Sequence, residues 1–350
     1  MSVVSLPAVH ADDEWSPLKA VIVGRAGRAC FPNAPAPMIE ATMPPAHAHR
    51  FIPQSLFPEQ LIAKAEAELD FLAAILKAEG IKVYRPLDGI DWMAENGYTG
   101  AMPRDGLMSV GNTLIEACFA WPSRANEIQR AYGPMLETLG QDSRVKIVRR
   151  PESSFANTLL DDEPSGDRQW VINNSRPAFD TADFMRFGKT ILGQYSHVTN
   201  QAGVDYIKNH LPCSYNIEIL DVNDPNAMHI DATILPLRQG LMVYHPKKVT
   251  EEALRKHAVL VDWDLRPYPF IPQEPGPEEA PLYMTSPWLS LNALVLDEKR
   301  VVIEASDQQT IQFYESLGMK CIPCPFKHVN SIGGSFHCAT VDLVREATKE

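Results

Sequence analysis

Residues 107–116, LMSVGNTLIE, hold two apolar stretches on either side of Gly111 and Asn112, and this pattern predicts a β-hairpin. A helix is predicted next, over residues 126–139, followed by a strand over residues 145–148. The same succession of hairpin, helix and strand recurs along the chain at intervals of roughly 50–80 residues. Repetition of one such unit around an axis would produce a closed, propeller-like α/β domain with a central site.

The elements outside that stretch follow the same α/β rhythm. The helix predicted over residues 58–79 has the strongest pattern, because its apolar side chains recur every 3.6 residues until Gly80 ends it. The remaining predictions are strands at 19–23, 81–84, 190–192, 216–221 and 320–323, helices at 202–210, 251–256 and 308–317, and hairpins at 233–244 and 294–304.

No low-complexity linker divides the chain, so residues 1–350 are predicted to form one domain. The most linker-like stretch, residues 271–281, is short enough to be a surface loop. Residues 30–57 are rich in Pro, Ala and His without periodicity, which predicts a long ordered loop or a lid.

Composition excludes several classes of protein. Of the 350 residues, 45% are hydrophobic, which is enough to form a core and excludes a disordered chain. No apolar run approaches the ~20 residues of a membrane span. The net charge of −12 disfavours binding to nucleic acid and weakly favours cationic small molecules, although such a charge also simply keeps a protein soluble.

Six cysteines in a chain of this length do not form a disulfide framework. Cys321 and Cys324 form a single C-x-x-C without a second pair, which is a weak signal for zinc or for redox chemistry. The first residues lack the basic and apolar regions of a secretory signal and the arginines of a mitochondrial presequence. The cytoplasm is therefore the predicted compartment.

Two segments hold candidate catalytic side chains. Cys338 follows Gly333-Gly334 in GGSFHC, where glycines permit close backbone approaches, so it is either a nucleophile or a buried structural cysteine. His229 and Asp231 are two apart and, in a strand, would share one face. They are either a general base with a carboxylate for a cationic substrate, or part of a solvated strand.

Two further acidic segments are ambiguous in the same way. Asp180 and Asp183 precede an apolar run and would suit the start of a helix, or one of them would orient a histidine. Asp105 follows Arg104 directly before a predicted strand, and the pair is either a surface ion pair or includes an inward carboxylate.

Taken together, seven segments resemble the arginine:glycine amidinotransferase family, in the family's order and over roughly residues 15–345. They are PRDGLMSVGNTLIEA (103–117), FDTADFMRFG (179–188), SHVTN (196–200), DPNAMHIDAT (224–233), PLYMTSPWLSLN (281–292), LDEKRV (296–301) and GGSFHC (333–338). The resemblance implies an α/β-propeller with five-fold pseudosymmetry built from ββαβ-type units. Members are often dimers, so the resemblance also carries the expectation of a homodimer.

The resemblance implies a role for each catalytic candidate. Cys338 matches the nucleophile, His229 the general acid and base, and Asp180 the acid that orients this histidine. Asp183 is expected to be a supporting acid. No metal and no cofactor are expected.

The substrate-binding residues follow from the same motifs. Asp105 and Asp231 match two carboxylates that clasp a guanidinium, and Thr285 and Ser286 match a polar pair near the amino-acid end of the donor. Lys248 stands where the family has an arginine for the donor carboxylate, and Lys keeps the charge but not the two-pronged geometry. A neighbouring Lys247, or Arg238, is the alternative anchor.

The implied reaction moves the amidino group of L-arginine to an acceptor amine through an amidino-cysteine, releasing ornithine. The partners are thus small molecules, and glycine is the favoured acceptor because of DPNAMHID, which would give guanidinoacetate. The alternatives are inosamine phosphate, lysine or a natural-product amine as acceptor, an arginine deiminase-type hydrolase, a non-catalytic guanidine-binding protein, and a zinc enzyme using His229, Cys321 and Cys324.

Overall fold

The computed structural model describes residues 6–43, 47, 49–151, 158–159, 170–276 and 279–346. Its helices are α1 (Ala36–Thr42), α2 (Glu59–Ala78), α3 (Pro103–Gly106), α4 (Glu127–Leu139), α5 (Gln201–His210), α6 (Glu251–Arg255), α7 (Gln308–Ser316) and α8 (Lys327–Ile332). Its strands are β1 (Leu18–Val23), β2 (Lys82–Tyr84), β3 (Leu107–Val110), β4 (Thr113–Glu116), β5 (Lys146–Val148), β6 (Phe184–Phe187), β7 (Thr190–Gly193), β8 (Asn216–Ile219), β9 (Ile234–Arg238), β10 (Leu241–Tyr244), β11 (Asp264–Pro267), β12 (Leu294–Asp297), β13 (Arg300–Glu304), β14 (Lys320–Cys324) and β15 (Thr340–Arg345).

These strands form five three-stranded sheets of one design. In each, two antiparallel strands are followed by a helix and then by a strand parallel to the second, as in β3-β4-α4-β5. The first sheet departs in one respect, because its antiparallel pair joins β1 to the C-terminal β15. The predicted ββαβ-type unit is therefore present in a mixed α/β fold.

Amphipathic helices cover the sheets. Helix α2 buries Leu61, Leu69, Leu72 and Leu76 on one face, as its periodicity predicts. Its end is set by Gly80, whose φ of +78° lies in the left-handed region that favours glycine. None of the described helices is long and apolar enough to cross a membrane.

The loops that matter most lie directly before the first strand of each sheet. Asp105 is two residues before β3, Asp183 precedes β6, Asp231 is three before β9, Asn292 two before β12, and Cys338 two before β15. The short helix α3 and 3₁₀ turns at Thr181–Asp183 and Ile230–Ala232 present three of these residues.

Those turns correct two predictions. His229 and Asp231 do not lie on a strand, because β9 begins only at Ile234, so their common orientation does not come from strand alternation. Asp180 and Asp183 begin and end a single 3₁₀ turn and do not open an α-helix, since the apolar run after them is β6. Strands β11 and β15 and helices α1 and α8 also have no counterpart among the predicted elements.

A buried ion-pair network joins the sheets. The Asp342 carboxylate on β15 accepts hydrogen bonds from Arg104 (2.8 Å), Arg186 (2.5 Å) and Arg345 (2.7 Å). Arg186 also donates two hydrogen bonds, both 2.7 Å long, to Glu14. The network (Glu14, Arg104, Arg186, Asp342 and Arg345) therefore ties the N-terminal segment and helix α3 to strands β6 and β15, which belong to two sheets.

Candidate active site

The candidate site is a cavity of about 350 Å³ lined by three of these loop residues, Asp231, Asn292 and Cys338. It is lined by Thr42, Asp224, Asn226, Met228, His229, Asp231, Ala232, Lys248, Glu274, Met284, Thr285, Ser286, Pro287, Trp288, Leu289, Asn292, Gly333, Gly334 and Cys338. Six predicted site residues are among them. The other three, Asp105, Asp180 and Asp183, lie behind His229, which they contact.

Cys338 is held at the cavity by one amide side chain. Asn292 Nδ2 donates to Cys338 Sγ at 3.1 Å, and Asn292 Oδ1 accepts from the Cys338 backbone N–H at 3.1 Å. A Cβ on Gly334 would stand 2.7 Å from Sγ, so only glycine permits this approach. The inference of a close glycine turn beside the thiol is confirmed.

His229 has a strained backbone that aims its ring. Its φ of +70° is unusual for a residue with a side chain, and its backbone N–H donates to Asp183 Oδ1 at 2.9 Å. The ring lies between two carboxylates, with Nε2 3.0 Å from Asp180 Oδ2 and Nδ1 3.5 Å from Asp105 Oδ1. Asp180 thus stands where an orienting acid is expected.

Asp183 lies under the His229 turn and is fully hydrogen-bonded there. It accepts hydrogen bonds from Gln194 Nε2 (2.8 Å), Ser196 Oγ (2.7 Å) and the Thr199 hydroxyl. These donors, together with the His229 N–H, hold the turn that carries the histidine. Burial nevertheless raises the pKa of Asp183 to about 6.

Arg124 is a buried cation that the motifs did not point to. It donates to Glu127 (2.7 and 3.0 Å) and to Asp105 Oδ2 (3.0 Å), and lies 3.6 Å from Asp180 Oδ2. One guanidinium thus serves three carboxylates. Burial of this excess of negative charge raises the pKa of Asp105, and raises that of Glu127 to about 7.

Asp231 lies on the other side of Cys338. Its Oδ2 is 2.8 Å from His337 Nδ1 and 3.5 Å from Cys338 Sγ. Its Oδ1 is buried and, like Oδ1 of Asp105 and of Asp180, has no hydrogen-bond partner within the described residues. Asp231 Oδ1, beside the thiol, is therefore available to a bound cation, whereas Asp105 Oδ1 and Asp180 face His229.

The surroundings raise the pKa of both the Cys338 thiol and the His229 ring. Burial, with the Asp231 charge, raises the pKa of Cys338 to about 12. Burial disfavours the imidazolium of His229, but Asp105 and Asp180 outweigh it and raise the pKa of His229 well above its ordinary value. The fold therefore raises the pKa of the thiol and of the histidine that lies beside it.

The far end of the cavity holds the remaining predicted residues. Lys248 Nζ lies 3.0 Å from Asp224 Oδ2, and Ser286 Oγ accepts from the Trp288 N–H at 3.4 Å. The Thr285 hydroxyl donates to the Asn330 carbonyl at 2.6 Å. The alternative anchors lie outside the lining, since Arg238 donates to the Leu317 carbonyl and Lys247 lies over the Trp288 ring.

Part of the segment 30–57 covers the cavity. Thr42, at the end of α1, lines it, and the Ala41 carbonyl accepts from Asn226 Nδ2 at 2.7 Å. His47 contacts Glu274 (2.7 Å) and the Thr285 carbonyl (2.7 Å). Residues 44–46 and 48 of this segment lie outside the described residues.

A possible metal-binding group consists of side chains that belong to the candidate site. Within the described ranges, the group that could hold a metal ion is Asp105, His229 and Cys338, with ligand atoms within 4.8 Å of one another. Cys321 and Cys324 lie on β14, and Cys321 Sγ contacts the Ile311 carbonyl at 3.6 Å. The zinc site imagined from His229 with these two cysteines is therefore wrong.

Sequence comparison places the chain among characterised enzymes. An L-arginine:L-lysine amidinotransferase from Pseudomonas savastanoi pv. phaseolicola is 38% identical over 353 residues, covering 96% of this chain and 94% of that protein. The chain belongs to the amidinotransferase family. A mitochondrial glycine amidinotransferase from Danio rerio is 37% identical, over 97% of this chain and 83% of the relative. No protein-family model matches the chain.

A solved structure agrees with this assignment. SxtG, an amidinotransferase of the saxitoxin biosynthetic pathway of Microseira wollei, superposes with a TM-score of 0.85 at 33% identity, covering 97% of this chain and 98% of that one. This amidinotransferase is thus a transferase whose relatives carry names with different acceptors.

Several functional neighbours were missed by sequence reasoning. Asn292 and His337 both stand inside quoted motifs, PLYMTSPWLSLN and GGSFHC, and polar residues at motif ends were the available signal. Arg124 and Glu127 had no such signal, because they lie in an unremarkable helix start and become functional only through Asp105 and Asp180.

Proposed function

We propose that this amidinotransferase uses L-arginine as donor and works by ping-pong covalent catalysis through Cys338. The observation that carries the proposal is a pair of buried carboxylates near the thiol: Asp231, whose Oδ1 has no partner within the described residues, and Asp105, which has an oxygen within 4.8 Å of Sγ. Such oxygens are costly unless a cation pairs with them, and a planar guanidinium pairs with carboxylates in two-pronged fashion.

In the first half-reaction, the donor guanidinium lies between Asp105 and Asp231 with its central carbon facing Cys338. The added positive charge beside Sγ lowers the pKa of the thiol, which gives its proton to solvent water as the donor binds, and the thiolate attacks the carbon. His229 enters as imidazolium and gives its proton to the leaving nitrogen, which departs as the amine of ornithine. The amidino group remains bonded to Sγ.

In the second half-reaction, an acceptor amine takes the place of ornithine. It attacks the same carbon and gives a proton to the now neutral His229, while the C–S bond breaks and releases the thiolate. Asp180, at 3.0 Å from Nε2, stabilises the charged ring in both steps, as an orienting acid does.

We propose that Lys248 holds the α-carboxylate of the donor, with Thr285 and Ser286 beside it. Its Nζ carries the positive charge of the cavity's far end, and Asp224 would exchange that contact for the donor's α-ammonium. The acceptor we propose is glycine, because the segment DPNAMHID (224–231) resembles the glycine-type enzymes. Lysine is the second candidate acceptor, because the L-arginine:L-lysine amidinotransferase is similar to this chain over 94% of its own length.

The first test is intact mass after mixing the enzyme with arginine alone and quenching in acid. We expect a gain of about 42 Da, the mass of the amidino group, on the peptide containing Cys338, with one equivalent of ornithine. Citrulline and ammonia in place of ornithine would indicate a hydrolase instead. If neither ornithine nor citrulline forms, arginine is excluded as the donor.

The acceptor is then identified by adding single amines to the isolated amidino-enzyme. Glycine should release guanidinoacetate and restore the original mass, and lysine should release homoarginine if it is the acceptor. A carboxylate-free amine of similar length is the control. Faster release by that amine would contradict an amino-acid acceptor.

We also propose that the five sheets are blades around a common axis. Five units of one design, closed by the pairing of β1 with β15, support this arrangement.

The cytoplasm is the proposed compartment, because none of the six cysteines forms a disulfide, although vertebrate relatives are named mitochondrial. A homodimer stays a prediction for sedimentation analysis.

A further inference from the structure

His337 stands between two carboxylates directly before the nucleophile. The residue is 4% exposed, with Nδ1 2.8 Å from Asp231 Oδ2 and Nε2 3.4 Å from Glu14 Oε2. Its backbone N–H donates to the Asn292 carbonyl at 3.2 Å. The mechanism above gives this side chain no task.

The surroundings require His337 to donate from both ring nitrogens. A carboxylate oxygen is an acceptor only, so a ring between two of them is satisfied as imidazolium. Burial and Arg104 oppose that charge, but Asp231 and Glu14 outweigh them and raise the pKa of His337. The titratable and charged groups facing this pair of residues are Glu14, Arg104, Asp105, His229 and Cys338, with Arg186 and Asp342 behind Glu14.

This contact decides which oxygen of Asp231 remains for a substrate. Oδ2 is occupied by His337 and is also the oxygen 3.5 Å from Cys338 Sγ, whereas Oδ1 has no partner within the described residues. Holding Oδ2 fixes the plane of the carboxylate. Partial neutralisation of Oδ2 also weakens its repulsion of a developing thiolate.

We propose that His337 is a positioning residue that keeps Asp231 ionised and turned with Oδ1 toward the bound guanidinium. This inference rests on the proposed function, since it assigns a support to the carboxylate that binds the donor. Although burial opposes it, His337 lowers the pKa of Asp231, so removal of the imidazolium should raise it. As the pH falls, the variant should then lose donor binding at a higher pH than the wild type does.

The test compares kcat/KM for arginine between about pH 5 and pH 9 in wild type and His337→Asn, whose amide replaces Nδ1 as a neutral donor. We expect KM for arginine to rise by roughly tenfold or more at the acid end of this range, and by more than kcat falls, because Asp231 then becomes protonated at a higher pH. His257→Asn is the matched control, because His257 Nδ1 contacts Glu218 at 2.7 Å away from the cavity. It should leave the profile unchanged.

A merely structural His337 would predict a lower melting temperature with the wild-type pH limb and KM, and that result would overturn the inference. If His337→Asn does not fold, His337→Gln and then Glu14→Gln are measured, the last with a smaller shift in the same direction. Absence of ornithine from the wild type would overturn the proposed function as well. The two failures are therefore distinguishable.

Discussion

The molecule contains two buried groups of carboxylates that differ in one respect. In the central network, Asp342 and Glu14 are paired with arginines, and these pairs outweigh burial and hold the pKa of both carboxyls well below their ordinary range. In the candidate site, Asp105 shares Arg124 with Asp180 and Glu127, and burial raises its pKa.

The difference lies in the balance of charge. The network supplies three arginines for two carboxylates, whereas the site supplies one arginine and one histidine for several. A protein keeps unbalanced buried charge only at a cost in stability, and such a cost is typical of sites that a ligand completes. In the proposed function, the guanidinium of the donor supplies that positive charge.

The largest expected effect is on turnover. Cys338→Ala should reduce ornithine release by at least about 10⁴-fold, because no other group can carry the covalent intermediate. The matched control is Cys324→Ala, a cysteine equally buried but on β14, which should retain turnover at a reduced melting temperature. Loss of activity in both variants would contradict a specific role for Cys338.

Removing a charge from the network should affect folding instead. Asp342→Asn leaves three buried guanidinium groups short of a partner, and we expect a loss of about 3–5 kcal/mol in the free energy of unfolding, measured with urea. Asp70→Asn breaks an exposed contact with Arg85 and should leave the urea midpoint unchanged. Equal midpoints for the two variants would remove the contrast drawn here.

The opposite pattern is expected for a carboxylate of the site. Asp105→Asn should lower kcat/KM for arginine by about 10²–10³-fold without loss of stability. Because folding raises the pKa of Asp105, the wild type loses stability as pH rises through that pKa, and the variant does not. The melting temperature of Asp105→Asn should therefore exceed that of wild type by more at pH 7 than at pH 4.

A ligand that supplies the cation should stabilise the protein. Arginine at one hundred times its dissociation constant should stabilise Cys338→Ala by about 2.7 kcal/mol, which thermal unfolding would register. Citrulline has nearly the same shape without the charge, so it is the control and should stabilise far less. Equal shifts would mean that the carboxylates do not recognise charge.

The smallest effect is expected at Lys248. Lys248→Met should raise KM for arginine by about tenfold or more with little change in kcat, because it removes uniform binding of the carboxylate. Lys248→Arg should change KM by less than that, since the charge remains. A large fall in kcat for Lys248→Arg would indicate that Asp224 needs the ammonium for its own position.

Local sequence patterns by themselves determine several secondary-structure elements of this protein. The hairpin at 107–116 and the helix over 59–78 depend on short-range turn chemistry and periodicity, and both stand where predicted. Motif resemblance pointed to Cys338, His229 and the neighbouring carboxylates, which the structure brings together, and their catalytic roles stay predictions.

Only the tertiary structure decided how those residues are held. Strand β15 could not be predicted as the partner of β1, since their pairing joins the two ends of the chain. The left-handed backbone of His229 depends on an N–H accepted by Asp183 from another loop, and the charge of Arg124 acts on Asp105 through space. Burial and charge balance are properties of the assembled fold, so the pKa values that distinguish the site from the network do not appear in the order of residues.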